Sequence, residues 1–137
     1  ELENKNILDF GCGSGVLAIA ALILGAQHCD CVDIDPQALD ATKNNAEDNN
    51  VLNKLNIMKP EQLAQQEYDI VLANILAGPL VELAPLLASY CKSGCPIVLS
   101  GILESQANKI VEAYSPWFEL EPIAVQDEWI RVTGKKK

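Results

Sequence analysis

The feature that most constrains this chain is the run Ile7-Leu8-Asp9-Phe10-Gly11-Cys12-Gly13-Ser14-Gly15. A short apolar segment ends in an acid, and glycines then recur at every second position. An almost wholly apolar stretch, Val16 to Leu24, follows and is closed by Gly25. This order predicts a buried strand, a tight turn and a buried helix, with Ser14 as the helix N-cap. Each glycine frees the backbone for positive φ, or lets a ligand approach without a Cβ in the way. In an α/β fold, such a turn opens a nucleotide-sized crevice at the carboxyl end of the first strand.

Three chemistries use a glycine-rich turn at this place. A phosphate loop ends in Gly-Lys-Ser/Thr, whereas this one runs Gly15-Val16 and has no lysine. A dinucleotide fingerprint needs G-x-G-x-x-G/A, and Val16 stands at its last position. What remains is G-x-G-x-G preceded by Asp9. That pattern resembles the first motif of class I S-adenosylmethionine-dependent methyltransferases. The chemistry agrees with the resemblance. The amino-acid end of that ligand carries an ammonium, which a carboxylate suits, and no pyrophosphate demands a cationic cradle. A tight turn with no ligand is the competing explanation.

At 137 residues the chain has the length of one domain, and it can bury a substantial core. Its net charge of −9 argues against a duplex nucleic-acid surface and is compatible with a basic protein partner. The closing Lys135-Lys136-Lys137 reads as a frayed basic tail, too short to assert RNA binding. No segment has the pattern of a membrane span or a signal peptide, so neither is expected. The five cysteines, Cys12, Cys29, Cys31, Cys91 and Cys95, contain no C-x-x-C pair, and His28 is the lone histidine. No zinc site is therefore expected; the pattern reads as reduced, buried thiols in a cytosolic protein. Cys29 and Cys31 should share one face of a strand.

Further along, a second strand from His28 to Ile34 leads into Asp35-Pro36, an N-cap followed by a helix-opening proline. Asp33, 22 residues after Gly11, stands at the tip of that strand, where an acid can accept the ribose hydroxyls of an adenosine ligand. A helix is expected from Pro36 to Asn49, with Thr42, Asn45 and Ala46 on one face. A short strand, Lys54 to Met58, and a polar loop with a single helical turn follow. The apolar run Tyr68 to Ala73 predicts a central parallel strand. Asn74, at its carboxyl end, can fix a substrate amine or the ligand through its amide. Pro79 is expected to open the next helix, with Leu80, Leu83, Leu86 and Leu87 inward and a kink at Pro85. A strand over Pro96 to Ser100 and a helix over Leu103 to Tyr114 come next. Trp117 to Val125 and Glu128 to Gly134 then read as two strands around Gln126-Asp127, necessarily antiparallel.

The layout is similar to class I methyltransferases as a whole: α/β and Rossmann-like, a seven-stranded mostly parallel sheet with helices on both faces and a C-terminal antiparallel hairpin. By that analogy the strand order is 3-2-1-4-5-7-6. One family is closer still. The stretches Asp9–Gly15, Asp33–Leu39, Asn74-Ile75-Leu76-Ala77-Gly78-Pro79-Leu80, Leu99–Leu103 and Glu128–Gly134 resemble the bacterial ribosomal protein L-eleven methyltransferase (PrmA) family. The first two are common among methyltransferases; the one starting at Asn74 is more particular.

The resemblance implies S-adenosyl-L-methionine as cofactor, held through Gly11, Asp33 and Asn74, with Asp9, Gly13 and Gly15 completing the turn. It implies methylation of amino groups, lysine side chains and an N-terminus, on a large-subunit ribosomal protein in the cytoplasm. It also implies that residues 1–137 are a methyltransferase domain whose N-terminal substrate-recognition domain lies outside them. The partner is then a ribosomal protein; neither a direct nucleic-acid contact nor a membrane is expected. Asn74 is assigned positioning of substrate or cofactor, and no side chain is assigned as general base. Two alternatives stay open: a methyltransferase for another amino substrate, nucleic acid or small molecule, or a cofactor-binding scaffold without activity. Against a nucleic-acid substrate, Asn74-Ile75-Leu76-Ala77 lacks the aromatic on which a base would stack.

Overall fold

The computed structural model describes residues 2–137, which divide into two compact units, residues 2–68 and Asp69–Lys137. The first unit alternates strand and helix: β1 (Asn6–Phe10), α1 (Val16–Ile23), β2 (His28–Val32), α2 (Pro36–Asp48) and β3 (Leu55–Met58). Its strands run parallel in the order β3-β2-β1, with Asp9 opposite Cys31 and Cys31 opposite Ile57. Parallel neighbours need a crossover, and α1 and α2 supply the two crossovers here.

The local signals explain the elements. Asp35 caps α2, its carboxyl oxygen accepting from the Gln37 N–H at 2.9 Å, and Pro36 occupies the first helical position where no donor is needed. Gly25, at φ 113°, lets the chain leave α1. Two expectations fail in this stretch. The N-cap of α1 is Gly15, in the left-handed region at φ 83°, and not Ser14; no side chain caps that end. Nor is α1 buried all round. Ala18, Ile19, Ala21 and Leu22 face inward, while Val16, Leu17, Ile23 and Leu24 remain exposed. A continuous apolar run hides which face is inside, because every residue fits either environment.

The second unit comprises β4 (Ile70–Asn74), α3 (Ala77–Ser89), β5 (Pro96–Leu103), α4 (Ala107–Tyr114), β6 (Phe118–Leu120), β7 (Ala124–Gln126) and β8 (Trp129–Lys136). β4 and β5 are parallel; β8 lies antiparallel between β5 and β6, and β7 pairs with β8. The Tyr114 hydroxyl donates to the Leu80 carbonyl at 2.7 Å and fastens α4 to α3.

Several boundaries in this unit differ from expectation. α3 starts two residues before Pro79 and runs through Pro85, which stands on its exposed side; Leu86 also faces out, and Ala84 and Ala88 fill the inner face instead. β5 continues past Ser100, with a register shift between Leu99 and Ile102 where Gly101 sits at φ 81°. A 3₁₀ turn, Glu104–Gln106, occupies the expected start of α4. The expected strand Trp117–Val125 is two strands, β6 and β7, separated by Glu121-Pro122-Ile123. Proline offers no N–H to a ladder, so the pairing stops there. The lysine tail is not frayed: Lys135 and Lys136 belong to β8, and the Lys136 ammonium donates to the Ala88 carbonyl at 3.0 Å and the Cys91 carbonyl at 3.4 Å.

Candidate active site

In the first unit the glycine turn is built by backbone and then locked by α2. The N–H groups of Gly11 and Cys12 both donate to the Val32 carbonyl, at 2.7 and 3.0 Å, which ties the turn to the end of β2. Gly11, Gly13 and Gly15 take φ of 82°, 56° and 83°, values at which a side chain is strained. The fully buried Thr42 donates its hydroxyl to the Gly13 carbonyl at 2.8 Å, and Asn45 donates its amide to the Ser14 carbonyl at 2.9 Å. A Cβ on Gly15 would lie 2.7 Å from the Thr42 methyl. A Cβ on Gly13 would meet nothing within 4 Å, so this glycine borders open space, as a backbone that receives a ligand must.

Asp33 completes the constellation. One carboxyl oxygen accepts from the Gly13 N–H at 2.9 Å and the other from the Asp35 N–H at 3.0 Å. The first bond joins the tip of β2 to the glycine turn, and the second curls the chain toward the α2 cap. Asp33 is half-buried, so its remaining lone pairs are reachable from solvent.

Asp9 lies beneath the turn and is 1% exposed. Among the described residues its Oδ2 has no hydrogen-bond partner. Burial, opposed in part by the Ala18 N–H and reinforced by the Asp33 charge, pushes its carboxyl up to about 7. An orphaned buried carboxyl oxygen is uncommon in folded proteins and calls for a partner such as a cation. Cys12, in the turn, lies 3.5 Å from the Thr42 hydroxyl, and Cys29 and Cys31 share a strand face with sulfurs 4.0 Å apart. The Cys31 thiol beside Cys12, then burial, holds Cys12 well above the usual range. Cys31 is lowered by Cys12, but Cys29 and burial outweigh that and raise it. These thiols stay protonated and serve as packing.

In the second unit, Asn74 ends β4 and is exposed. A Cβ on Gly101 would fall 2.6 Å from the Asn74 Oδ1 and 3.2 Å from the Ile75 carbonyl, so only glycine lets the amide stand where it does. Ser100 and Gly101 form one wall of a cleft of about 340 Å³ whose other wall is the outer face of β7 and β8, with Gln126, Trp129 and Arg131. Trp129 is 52% exposed there.

Of the residues singled out from sequence, Gly11, Gly13, Asp33 and Asp9 thus gather around one turn, with Gly15 at its far end. Asn74 stands with Gly101 in the second unit. Thr42 and Asn45, which lock the turn, were legible only as polar residues on the inward face of α2. Trp129 was legible as the outward residue of an alternating strand, but nothing in that pattern marks a cleft.

A family model described as ribosomal protein L11 methyltransferase (PrmA) matches residues 1–137. The chain is 52% identical, over its whole length, to the ribosomal protein L11 methyltransferase of Shewanella sp. (strain W3-18-1) and 49% identical, over 99% of its length, to that of Hahella chejuensis (strain KCTC 2396). It spans 47% of the length of each of these relatives. Among solved structures, 99% of the chain matches 72% of the ribosomal protein L11 methylase of Lactobacillus delbrueckii subsp. bulgaricus, with 30% identity and a TM-score of 0.85. The fold is accordingly the α/β, Rossmann-like fold of class I methyltransferases, with eight strands among the described residues where seven were expected, because β7 is a separate short strand on β8. A turn locked in this way, a sequence matched from end to end and a shared fold together make the chain a member of the ribosomal protein L11 methyltransferase (PrmA) family.

Proposed function

We propose that this chain is the catalytic domain of an S-adenosyl-L-methionine-dependent N-methyltransferase acting on amino groups, lysine side chains and an N-terminus, of ribosomal protein L11. The observation that supports it most is the Asp33 carboxyl bonded to the Gly13 N–H, beside a glycine with open space where its Cβ would be. The residues present suit the cofactor. Gly11, Gly13 and Gly15 offer backbone without side chains, Asp33 has lone pairs for ribose hydroxyls, and Asp9 holds a buried oxygen that lacks a partner. When bound, S-adenosyl-L-methionine supplies a methyl group already activated by the positive charge on sulfur.

The chain's task is then positioning. Asn74 presents an amide carbonyl that can accept from the attacking amine and orient its lone pair. A lysine amine, with a reference pKa of about 10.4, must arrive neutral, and contacts that exclude water favour that form. No residue is assigned as general base. Recognition of the ribosomal protein belongs to sequence beyond this chain, in keeping with relatives about twice as long. A ribosomal-protein substrate supports a cytoplasmic location.

Asp33→Ala tests the cofactor role. Loss of hydrogen bonds to a charged acceptor lowers affinity by roughly 1.5–3 kcal/mol, a factor of about 10 to 150. Calorimetry with S-adenosylhomocysteine reads it directly, with circular dichroism confirming that the variant folds. Equal affinity in a folded variant would remove Asp33 from the site.

A further inference from the structure

The most unusual group in the first unit is Asp9. It ends β1 directly beneath the glycine turn, is 1% exposed, and leaves Oδ2 with no partner. Among the described residues of this unit, none of the groups that act on it is positively charged. From β2, Cys31 is its register partner and Asp33 stands at the strand's tip; from the turn, Cys12 is the nearest titratable side chain; from α1, it receives only the Ala18 N–H. A thiol, a second thiol and another acid face this carboxyl. None can neutralise it, and the acid repels its ionised form. A buried carboxyl without a counter-charge is stable only with its proton on, since the neutral form is far cheaper to desolvate.

We propose that Asp9 carries a proton in the ligand-free chain and releases it when the ammonium of the cofactor's amino-acid end arrives, so that cofactor binding and proton release are one coupled event. The inference rests on the S-adenosylmethionine reading above and adds a pH dependence to it. The step is a simple ionisation: the Asp9 O–H bond breaks, the electron pair stays on Oδ2, and the proton leaves to solvent. The ligand's ammonium takes its place as the positive partner. Burial has already moved the group to about 7, so the exchange falls in the physiological range. The sign follows from linkage. Below that value the ligand must displace a proton and affinity falls with pH; above it the carboxylate is already formed and affinity is flat. If the bound form stays ionised throughout, affinity for the ligand rises roughly tenfold or more between pH 5.5 and 7.5.

The test is calorimetry on the chain with S-adenosylhomocysteine at pH 6.5, in buffers of different ionisation enthalpy. 5′-Methylthioadenosine, which lacks the amino-acid end, and Asp9→Asn serve as controls. The expected result is release of most of one proton by the wild type with S-adenosylhomocysteine, and none with either control. Should Asp9→Asn fold poorly, carbon-13 NMR of the wild-type aspartate carboxyls gives the same answer: one resonance titrating near neutrality, moved to lower pH by the ligand. Tight binding with no proton exchange and a flat pH profile overturns this inference and leaves the cofactor reading intact. Absence of binding at every pH overturns both.

Discussion

Asp9→Asn is expected to stabilise the ligand-free chain at pH 8, although it alters a site residue. The wild-type carboxyl moves from 3.8 in the unfolded chain to about 7 when folded. Below the lower value both states hold the proton, and ionisation has no effect on folding. Between the two, the unfolded chain releases the proton and the folded chain keeps it, so each pH unit removes about 1.4 kcal/mol of stability. Above about 7 the full loss, on the order of 4 kcal/mol, is present. Asparagine carries no charge to desolvate. Its unpaired amide hydrogens return about 1 kcal/mol of the gain, leaving a net stabilisation on the order of 3 kcal/mol. Urea denaturation at pH 5 and pH 8 checks this: the wild type should lose stability with rising pH, and the variant should lose much less. Parallel profiles for the two proteins would mean that Asp9 is ionised in the folded state at little cost.

Asp30→Ala should be the most damaging single change in the first unit. Asp30 is 4% exposed in the middle of β2 and accepts from four side chains. Its Oδ1 lies 2.9 Å from His28 Nε2 and 3.2 Å from Asn56 Nδ2; its Oδ2 accepts from the Tyr68 hydroxyl, closely, and from Gln66 Nε2 at 3.3 Å. The carboxyl therefore pins β3, through Asn56, and the segment ending at Tyr68 onto β2. Removing it takes the acceptor from the buried Tyr68 hydroxyl, releases the half-buried His28 and the exposed Asn56 and Gln66 from β2, and opens a small cavity, which together cost roughly 2–4 kcal/mol. Tyr68→Phe deletes one partner and leaves the rest, so about 1–2 kcal/mol is expected. The ordering of the two variants in denaturant midpoint is the discriminating observation. A midpoint for Asp30→Ala as high as that of Tyr68→Phe would show the network to be dispensable.

What sequence made legible, and what it did not, follows the range of the interactions concerned. The Asp35-Pro36 cap and the glycine turn are local devices, written in a few adjacent residues, and both stand as expected. Asp33 at the end of β2 was placed by strand length alone. Its bond to Gly13, across 20 positions of chain, could not be seen, nor could the grip of Thr42 and Asn45 on the turn. Ser14 looked like a cap because its side chain suits one; the left-handed Gly15 took the position because the turn ends there. The exposed side of α1 was hidden by uniform apolarity. Lys136 was misread since its ammonium finds carbonyls at the end of α3, a tertiary contact invisible to composition. The Asp30 network was missed for the same reason: its five members are spread from His28 to Tyr68 and meet only after folding.

The central claim is that the glycine turn and the acid after β2 together form one site for an adenosyl ligand. An amide titration tests it most directly: the nitrogen-15-labelled chain with increasing S-adenosylhomocysteine. The account predicts saturable shifts of the Gly11, Gly13 and Asp33 resonances that share a single dissociation constant. Shifts confined to other residues, or separate constants for Asp33 and for the glycine turn, would contradict it.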